Sequence, residues 1–375
     1  MYTEHGWIAN NAKEVKSVVS VPVYAIGRIN DTRVANAIIK SGKADMVAMG
    51  RQSIADPETP NKAAAGCFAD IRTCVGCLHG CDANVNLEQS GTCELNPIIG
   101  HESEAEYQTV MTDSPKNVLV IGAGPAGLEA AIGAAKRGHR VSVYDKDRWA
   151  GGKYRLASVP PCKGELGAFI VWQMHELKKL NVPVILNTVV TKELVDSVKP
   201  DVIIAATGTT PVVPRKIPGW DKDIVVLGTD VLSGKANTGH NVVVIGGGHA
   251  GAETANHIAS YMKNVTIVEL QEDIAMDEVD TPRNALLADL EKNKVRVCAS
   301  TSVSEIKDHS VVVSGKFNEE IECDTVVISI GHTPNTALAD ELIQAGYDVR
   351  IIGDAVKVGL VGPAVRAGYL TARQI

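Results

Sequence analysis

The sequence predicts an α/β protein with parallel sheets, and three observations support this class. Apolar residues make up 45% of the 375-residue chain, which has 34 glycines and only three phenylalanines. Residues 21–66 show the pattern strand, helix, strand, helix, and the same alternation resumes after residue 116. Strands that alternate with helices are typical of parallel sheets, and a chain of this length is expected to form two or three domains.

Composition excludes several functional classes. The formal charge of −7 and the pI near 5.8, with no clustered basic face, argue against nucleic-acid binding. No apolar run approaches the ~18 residues of a membrane span, and the N-terminus lacks the regions of a secretion signal. Eight cysteines in so large a chain fit reduced thiols better than a secreted disulfide framework. We therefore expect a cytoplasmic protein that acts on a small molecule, with no nucleic-acid or membrane partner.

An internal repeat contains two glycine-rich turns. Residues 117–145, NVLVIGAGPAGLEAAIGAAKRGHRVSVYD, match residues 241–269, NVVVIGGGHAGAETANHIASYMKNVTIVE. Each copy has an apolar strand, a G-x-G-x-x-G turn, a helix and a second strand that ends in an acid. The glycines permit a tight turn, close approach of a pyrophosphate and close packing of the helix, whose N-terminus favours anions. We predict two dinucleotide-binding sites, with the second copy inserted into the domain of the first.

The residues of these two sites follow from the motif. The glycines are Gly122, Gly124 and Gly127 in the first copy, and Gly246, Gly248 and Gly251 in the second. Asp145 and Glu269 end the second strands, where a carboxylate binds ribose hydroxyls. No Arg or Lys follows Glu269 closely to receive a 2′-phosphate, so NADH is favoured over NADPH. A structural, salt-bridged Glu269 is the alternative.

Residues 116–375 resemble the flavoprotein reductases that have two dinucleotide-binding domains. Besides the glycine turns, the resemblance rests on WAGGKYRLAS, AATGTTP, HTPN and the final IIGDAVKVGLVGPAVRAGYLTARQ. It implies that the first site binds FAD, that the inserted site binds NADH, and that Glu253 lies near the nicotinamide. It also implies further contacts with FAD, made by Gly152, Lys153, Val190, Gly208, Gly353 and Asp354.

Half of the eight cysteines lie within residues 74–93, CVGCLHGCDANVNLEQSGTC. Their spacing, C-x2-C-x3-C-x11-C, matches neither the usual zinc pattern nor the common ferredoxin spacings. Four thiolates suit tetrahedral zinc or an iron–sulfur cluster, and a one-electron relay to another flavin needs a cluster. The four residues are Cys74, Cys77, Cys81 and Cys93. The others are expected to be ordinary buried thiols: Cys67, Cys162, Cys298 and Cys323.

The cysteine segment and the residues before it resemble the 2,4-dienoyl-CoA reductase / 2-enoate reductase family, a group that includes trimethylamine dehydrogenase. The matching segments are IRTCVGCLHGCDANVNLEQSGTCELNPIIG and IGRINDTRVANAIIKSGKADMVAMGRQSIADP. Members join an FMN-bearing (β/α)8 barrel (a TIM barrel) to a 4Fe-4S loop and a flavoprotein module, and the chain matches the C-terminal portion. The resemblance implies a 4Fe-4S cluster at the four cysteines, with zinc as the alternative. It also implies that residues 21–26 and 44–49 are the last two strands of the barrel. By the same resemblance, Arg28, Gly50 and Arg51 are expected to hold the FMN phosphate.

The resemblance also sets the expected domains. Residues 1–66 are the last βα units of a truncated barrel, and residues 67–112 form the cluster segment. Residues 113–235 and 325–375 form the FAD-binding domain, and residues 236–324 form the NAD(H)-binding domain. Because two strands do not close a barrel, we expect a fragment, or a chain completed by a partner chain or by a second copy in a homo-oligomer.

The favoured hypothesis is an NADH-dependent flavin and iron–sulfur oxidoreductase. Electrons are expected to pass from NADH through FAD, the cluster and FMN to an activated C=C bond. An amine dehydrogenase of the same architecture and a non-catalytic electron-transfer subunit remain alternatives. A disulfide reductase needs a C-x-x-C pair in the inserted domain, and Cys298 has no cysteine at that spacing. Enoates, dienoyl-CoA esters, steroid enones and tetrapyrroles are all compatible substrates, because the substrate-facing catalytic residues are expected to lie outside this chain.

Overall fold

The structure is a computed structural model that describes all 375 residues. The strands are β1 Tyr24–Ala25, β2 Met46–Val47, β3 Asn117–Ile121, β4 Arg140–Tyr144, β5 Val184–Ile185, β6 Val202–Ala205, β7 Thr209–Pro211, β8 Val225–Leu227, β9 Asn241–Ile245, β10 Asn264–Val268, β11 Arg296–Cys298, β12 Thr301–Ile306, β13 Ser310–Gly315, β14 Glu319–Glu322, β15 Thr325–Ile328, β16 His332–Pro334 and β17 Val349–Ile351. The helices are α1 Ala9–Lys16, α2 Thr32–Lys40, α3 Gly50–Ala55, α4 Thr59–Ala64, α5 Asn84–Asn86, α6 Pro125–Lys136, α7 Gly152–Ala157, α8 Leu166–Lys179, α9 Lys192–Val198, α10 Gly228–Ser233, α11 His249–Ala259, α12 Asp280–Lys292, α13 Ala337–Gln344 and α14 Val361–Arg373.

The chain forms two compact units, each made of separate segments. The first unit comprises Met1–Gly152, Glu165–Thr207 and Thr336–Ile375. The second unit comprises Lys153–Gly164 and Gly208–Asn335. Insertion of one unit into the other is therefore present, as the position of the second glycine turn predicts. No helix combines the length and the apolar character needed to cross a bilayer.

The N-terminal part of the first unit contains a short parallel strand pair. Strands β1 and β2 pair with Tyr24 opposite Met46, and α1 and α2 cover one side of the pair. Its small core includes Ala25 and Ile38, which are buried. Both strands are shorter than predicted, because each has only one hydrogen-bonded neighbour.

The main sheet of the first unit is parallel throughout, with strand order β17-β6-β3-β4-β5. Strand β3 lies at its centre, and residues such as Leu119 are fully buried, a contribution of about 1.5–3 kcal/mol for a leucine side chain. Helix α14 packs closely on α6, because a Cβ at Gly368 would lie 2.2 Å from the carbonyl oxygen of Ala126. This packing places the segment before α14 beside the start of α6.

The main sheet of the second unit is also parallel, with strand order β11-β10-β9-β15-β8. Strands β12, β13 and β14 form a separate antiparallel sheet, and β7 pairs with β16. The boundaries predicted at 236 and 324 leave β8 and β15 in the FAD-binding domain, whereas the structure pairs both strands within the second sheet. The reason is that β15 forms hydrogen bonds with a strand on each side. Its Val326 lies between Val225 of β8 and Val243 of β9.

Candidate cofactor-binding sites

The first glycine turn joins β3 to α6 and has room only for glycine at two positions. Gly122 has φ +110°, and a Cβ there would lie 2.2 Å from the carbonyl oxygen of Ala206. A Cβ at Gly127 would lie 2.0 Å from the carbonyl oxygen of Gly122. Gly124, by contrast, precedes α6, and a Cβ there would contact nothing within 4 Å. The turn is thus packed on its inner side and open on the side where a pyrophosphate would bind.

Asp145 is held against this turn by backbone amides. Its Oδ2 accepts a hydrogen bond of 2.6 Å from the N–H of Ala123, and its Oδ1 accepts one of 2.7 Å from Asp147. These bonds fix the carboxylate at the end of β4, the position from which an acid binds ribose hydroxyls.

Two further residues predicted to contact FAD lie near the start of α6. Gly353 has φ +64°, and a Cβ there would lie 2.9 Å from the Cβ of Ala126. A Cβ at Gly152 would lie 3.7 Å from the Cα of Gly124. Asp354 follows Gly353 and accepts a hydrogen bond from the N–H of Gly359. The structure therefore brings Gly152 and Gly353 close to the first turn and the start of α6.

Val190, Lys153 and Gly208 are the other residues predicted to contact FAD. Val190 is buried and packs in the core with Leu119 and Ile203. Lys153 and Gly208 belong to the second unit, at two of the points where the chain passes between units. Their predicted contacts with FAD stay predictions.

The second glycine turn has the same construction. A Cβ at Gly246 would lie 2.3 Å from the carbonyl oxygen of Ser329, and a Cβ at Gly251 would lie 2.0 Å from that of Gly246. Gly248 immediately precedes α11. Glu269 accepts 2.5 Å and 2.7 Å hydrogen bonds from the amides of Gly247 and Gln271. Its two oxygens thus bind backbone amides, as those of Asp145 do, and neither pairs with a cation.

Glu253, predicted to lie near the nicotinamide, belongs to a buried charged cluster in the second unit. Its Oε1 lies 2.5 Å from Lys163 Nζ and 2.8 Å from His249 Nε2. His249 Nε2 also lies 2.9 Å from Glu278 Oε2. Sequence reasoning missed the three other members of this cluster, which are Lys163, His249 and Glu278. His249 was detectable, because it lies four residues before Glu253 on one helical face. Lys163 was not, because it is remote in sequence.

All four cysteines of the motif line one cavity in the first unit. They share it with Arg51 and with apolar side chains that include Ile54, Val75, Leu78 and Leu95. All four are free thiols. Burial raises the pKa of each, that of Cys81 to about 11. Such thiols stay protonated at neutral pH unless a bound metal draws the protons off, so the donor set fits a thiophilic metal centre.

Two buried amides anchor the cysteine segment, and sequence reasoning missed both. Asn30 Nδ2 donates to the carbonyl of Cys74 over 2.6 Å. The N–H of Cys74 donates to Gln52 Oε1 over 2.8 Å, and Gln52 is 1% exposed. At the far end of the motif, the N–H of Leu95 donates to Cys93 Sγ over 3.4 Å. N–H donors to sulfur are among the features that tune iron–sulfur centres.

The cysteines outside the motif divide into two pairs. Cys298 and Cys323 are buried in the core of the second unit, as expected. Cys67 and Cys162 are exposed, so the expectation that they are buried is wrong. Both lie in loops, Cys67 after α4 and Cys162 between α7 and α8 with φ +64°, and loops generally run over the protein surface.

The residues predicted to hold the FMN phosphate follow β1 and β2. Gly50 begins α3, and Arg51 lines the cysteine cavity. Arg28 has φ +53°, and its Nη2 lies 2.6 Å from Glu165 Oε1. Its Nη1 also donates to the carbonyl of Met1. All three residues thus follow carboxyl ends of parallel strands, where phosphate sites of such barrels lie, while the Arg28 guanidinium is engaged by Glu165.

Comparisons with known proteins assign the N-terminal part and the rest of the chain to two different families. Residues 116–352 match the pyridine nucleotide-disulphide oxidoreductase family, and residues 3–69 match the NADH:flavin oxidoreductase / NADH oxidase family. An NADH oxidase of Thermoanaerobacter brockii is 39% identical over 99% of this chain and 58% of its own length. A cinnamate reductase of Clostridium sporogenes is 36% identical over 100% of this chain and 56% of its own length. A solved 2-naphthoyl-CoA reductase complex covers 100% of this chain and 57% of that chain, at TM-score 0.96 and 32% identity.

The chain belongs to the 2,4-dienoyl-CoA reductase / 2-enoate reductase family.

Membership confirms the predicted fold class, with terminal βα units of an FMN-binding barrel followed by two Rossmann-type units. The chain contains modules of a pyridine nucleotide oxidoreductase family and of a flavin oxidoreductase family. It spans 56–58% of the length of the two curated relatives described above. The architecture also occurs in a 6-hydroxypseudooxynicotine amine oxidase of Pseudomonas geniculata, at TM-score 0.89 and 29% identity over 99% of this chain and 58% of that one.

Hydrogen-bonded ion pairs determine the charges of the buried cluster around Glu253. Burial alone would lower the pKa of His249, but hydrogen bonds to Glu253 and Glu278 outweigh it and raise the pKa to about 10. Burial alone would raise the pKa of Glu253, but His249 and Lys163 lower it below the ordinary value. At neutral pH the cluster therefore contains an imidazolium and a carboxylate.

His249→Gln should destabilise the protein in a pH-dependent way. The folded-state pKa of His249 is raised, so its stabilisation is complete below the unfolded pKa of ~6.5 and disappears as pH rises through about 10. The variant should lose on the order of 2 kcal/mol of unfolding free energy at pH 6 and much less at pH 10. Denaturant unfolding at several pH values measures this difference, with the exposed His240→Gln as control. A loss that is equal at all pH values would contradict the assignment.

Proposed function

We propose that this chain is the electron-input part of an NADH-dependent reductase for activated C=C bonds. Bound FAD, a 4Fe-4S cluster and FMN would supply hydride acceptance, one-electron relay and delivery to the substrate. The residues of this chain bind and orient those groups and keep water from them. The observation that carries the proposal is the presence, in one chain, of two complete glycine turns with amide-bound acids and a cavity lined by four partly buried cysteines.

The setting of the four cysteines supports a 4Fe-4S cluster rather than zinc. Their thiols line one cavity, and the N–H of Leu95 donates to Cys93 Sγ. The cavity lies in a chain that matches both a pyridine nucleotide family and an FMN family. A relay of single electrons between two flavins needs a redox-active centre, and zinc has no redox chemistry. The residues that would hold the cluster are Cys74, Cys77, Cys81 and Cys93.

Hydride donation by NADH rather than NADPH is supported by Glu269. Its carboxylate is fixed at the end of β10 by two amides, so a 2′-phosphate would meet a negative charge that cannot easily move away. Glu269→Arg should shift the ratio of kcat/KM from NADH towards NADPH by about tenfold or more, because it removes repulsion and adds a phosphate partner.

Two variants control for the loss of the amide hydrogen bonds. Glu269→Gln keeps one acceptor oxygen without charge and should shift the ratio less. Glu291→Arg makes the same charge change at an exposed position on α12 and should leave the ratio unchanged. An unmodified chain that already prefers NADPH would refute the assignment.

The reduction of a C=C bond is favoured over amine oxidation. Among the relatives, the cinnamate reductase is 36% identical and covers the whole chain. In an amine dehydrogenase electrons leave the FMN, and the second nucleotide site need not donate hydride. Both glycine turns and both acids are intact here, which favours a working path from NADH to FAD.

The experiment that tests the proposal uses the purified 375-residue chain, reconstituted anaerobically with FAD, iron and sulfide. It should bind equimolar FAD, oxidise NADH and reduce ferricyanide. It should bind FMN weakly, because β1 and β2 provide phosphate loops without an enclosing barrel. It should not reduce cinnamate or another enoate. Binding of equimolar FMN, or robust enoate reduction, would contradict the proposal that this chain only supplies electrons. Failure to oxidise NADH would refute the electron-input function.

The N-terminal strand pair presents an uncovered apolar surface that we propose is covered in the active enzyme. Val18, Val21, Tyr24 and Ile26 are more than half exposed. Such a surface beside a parallel pair is typical of an interface, because parallel strands are normally covered on both faces. Further barrel strands, a partner chain or a second copy would supply the cover.

A further inference from the structure

An aspartate occupies the start of α11 at the second glycine turn. The N–H of His249, the first residue of α11, donates a 2.6 Å hydrogen bond to Asp277 Oδ1. Both oxygens of Asp277 lie 3.7 Å from the position that a Cβ at Gly248 would take. Amides at this position of a G-x-G-x-x-G turn are those that bind the pyrophosphate of a dinucleotide. A carboxylate of the protein therefore lies where the nucleotide's negative charge would bind.

The first glycine turn has no such occupant. Its helix, α6, begins with Pro125, which has no N–H, and the space beside Gly124 is open to 4 Å. The two copies share the glycines and the amide-bound acid but differ in this contact. The aspartate is thus a property of the second site and not of the motif.

The backbone around Asp277 is anchored, while its side chain is exposed. The N–H of Ala275 donates a 2.7 Å bond to the carbonyl of Gly247, and Ile274 and Ala275 are buried. On the other side, Glu278 is paired with His249 over 2.9 Å. Asp277 itself is exposed. Its carboxylate can therefore leave the helix terminus by side-chain rotation, with the neighbouring residues in place.

We propose that Asp277 is an internal competitor for the pyrophosphate of the nicotinamide dinucleotide. In the nucleotide-free protein its carboxylate binds the N-terminus of α11, where the helix dipole favours an anion. When the dinucleotide binds, the side chain rotates away and the pyrophosphate takes its position. Each binding event then includes the loss of the Asp277 contact, so the carboxylate weakens dinucleotide affinity and eases product release. The inference rests on NAD(P) binding at the second turn and does not depend on the path of the electrons afterwards.

The test compares Asp277→Ala with Glu272→Gln in the FAD-loaded chain. Glu272 is exposed in the same segment, so its variant controls for the general loss of one negative charge. The ligands are ADP-ribose, which carries the pyrophosphate but cannot reduce the flavin, and adenosine, which lacks phosphates. Isothermal titration measures both, and thermal unfolding without ligand measures the loss of the capping bond.

Asp277→Ala should lower the Kd for ADP-ribose by about three- to tenfold, leave the Kd for adenosine unchanged and lower the unfolding temperature of the ligand-free protein. Glu272→Gln should change none of these. An unchanged or weaker affinity of Asp277→Ala for ADP-ribose would overturn the proposal and leave Asp277 a helix cap only. Equal tightening in Glu272→Gln would overturn it too, because the effect would then be long-range repulsion. Gly251→Ala, which blocks the turn, should abolish ADP-ribose binding and so confirms where the ligand sits.

Discussion

Cys77→Ser should abolish the metal centre. The unmodified chain, reconstituted anaerobically, should carry about four irons and four acid-labile sulfides, with a broad visible absorption that bleaches on reduction. A serine hydroxyl is a harder ligand with a much higher pKa than a thiol, so it cannot replace the thiolate in a buried cavity lined by apolar side chains. Iron, sulfide and visible absorption should all fall to background in the variant.

Cys67→Ser is the matched control for this variant. Cys67 is a free thiol in the same unit, but it is exposed and outside the motif, so its loss should leave iron and sulfide unchanged. NADH oxidation with ferricyanide should persist in Cys77→Ser, because both nucleotide turns are distinct from the cavity. Stoichiometric zinc without sulfide in the unmodified chain would refute the cluster, and loss of iron in Cys67→Ser would refute the ligand assignment.

Gly127→Ala and Gly251→Ala should separate the two nucleotide sites. In each variant the new Cβ would lie 2.0 Å from a carbonyl oxygen, that of Gly122 or of Gly246. Because the obstacle is backbone, it cannot rotate away, and the turn itself must open. Gly127→Ala should therefore lose FAD almost completely, and with it all NADH oxidation. Gly251→Ala should keep equimolar FAD while kcat/KM for NADH falls by at least about a hundredfold.

Each of the two variants is the control for the other, because both replace glycine by alanine at equivalent positions of the two turns. Bound flavin is measured by absorbance after denaturation, and NADH oxidation by the ferricyanide assay. Photoreduced FAD in Gly251→Ala should still reduce ferricyanide, which shows that only hydride supply is lost. Loss of FAD from Gly251→Ala, with retention in Gly127→Ala, would reverse the assignment of the two sites.

The spacing of residues along the chain was enough to predict those parts of the sites whose residues lie close together in the sequence. Gly122, Gly124 and Gly127 lie within one turn, and their function depends on backbone geometry that adjacent residues determine. The acids Asp145 and Glu269 were predictable because a strand of fixed length follows each helix and delivers its last residue to the turn. The four-cysteine spacing likewise predicted one shared metal centre, and the four thiols line one cavity.

Domain boundaries were harder to predict, because strand pairing depends on residues far apart in the chain. The limits at 236 and 324 followed the repeat, yet β15 pairs with β9 and β8 pairs with β15 in the second sheet. A short apolar strand has no local feature that selects its neighbour. Exposure of Cys67 and Cys162 was missed for the same reason, since burial depends on what the rest of the chain places over a loop.

By itself, the sequence determined the two glycine turns, their acids, the four-cysteine segment and the order of the modules, because each is a pattern that can be followed along one continuous stretch of chain. Only the tertiary structure decided which charges meet. Lys163 of the loop between α7 and α8 pairs with Glu253, and Glu165 of the same loop pairs with Arg28. Asp277 reaches the start of α11 by the same kind of long-range contact. Charged side chains carry no periodic pattern that names their partner, and the free energy of each pair depends on the burial and distance that the folded chain creates.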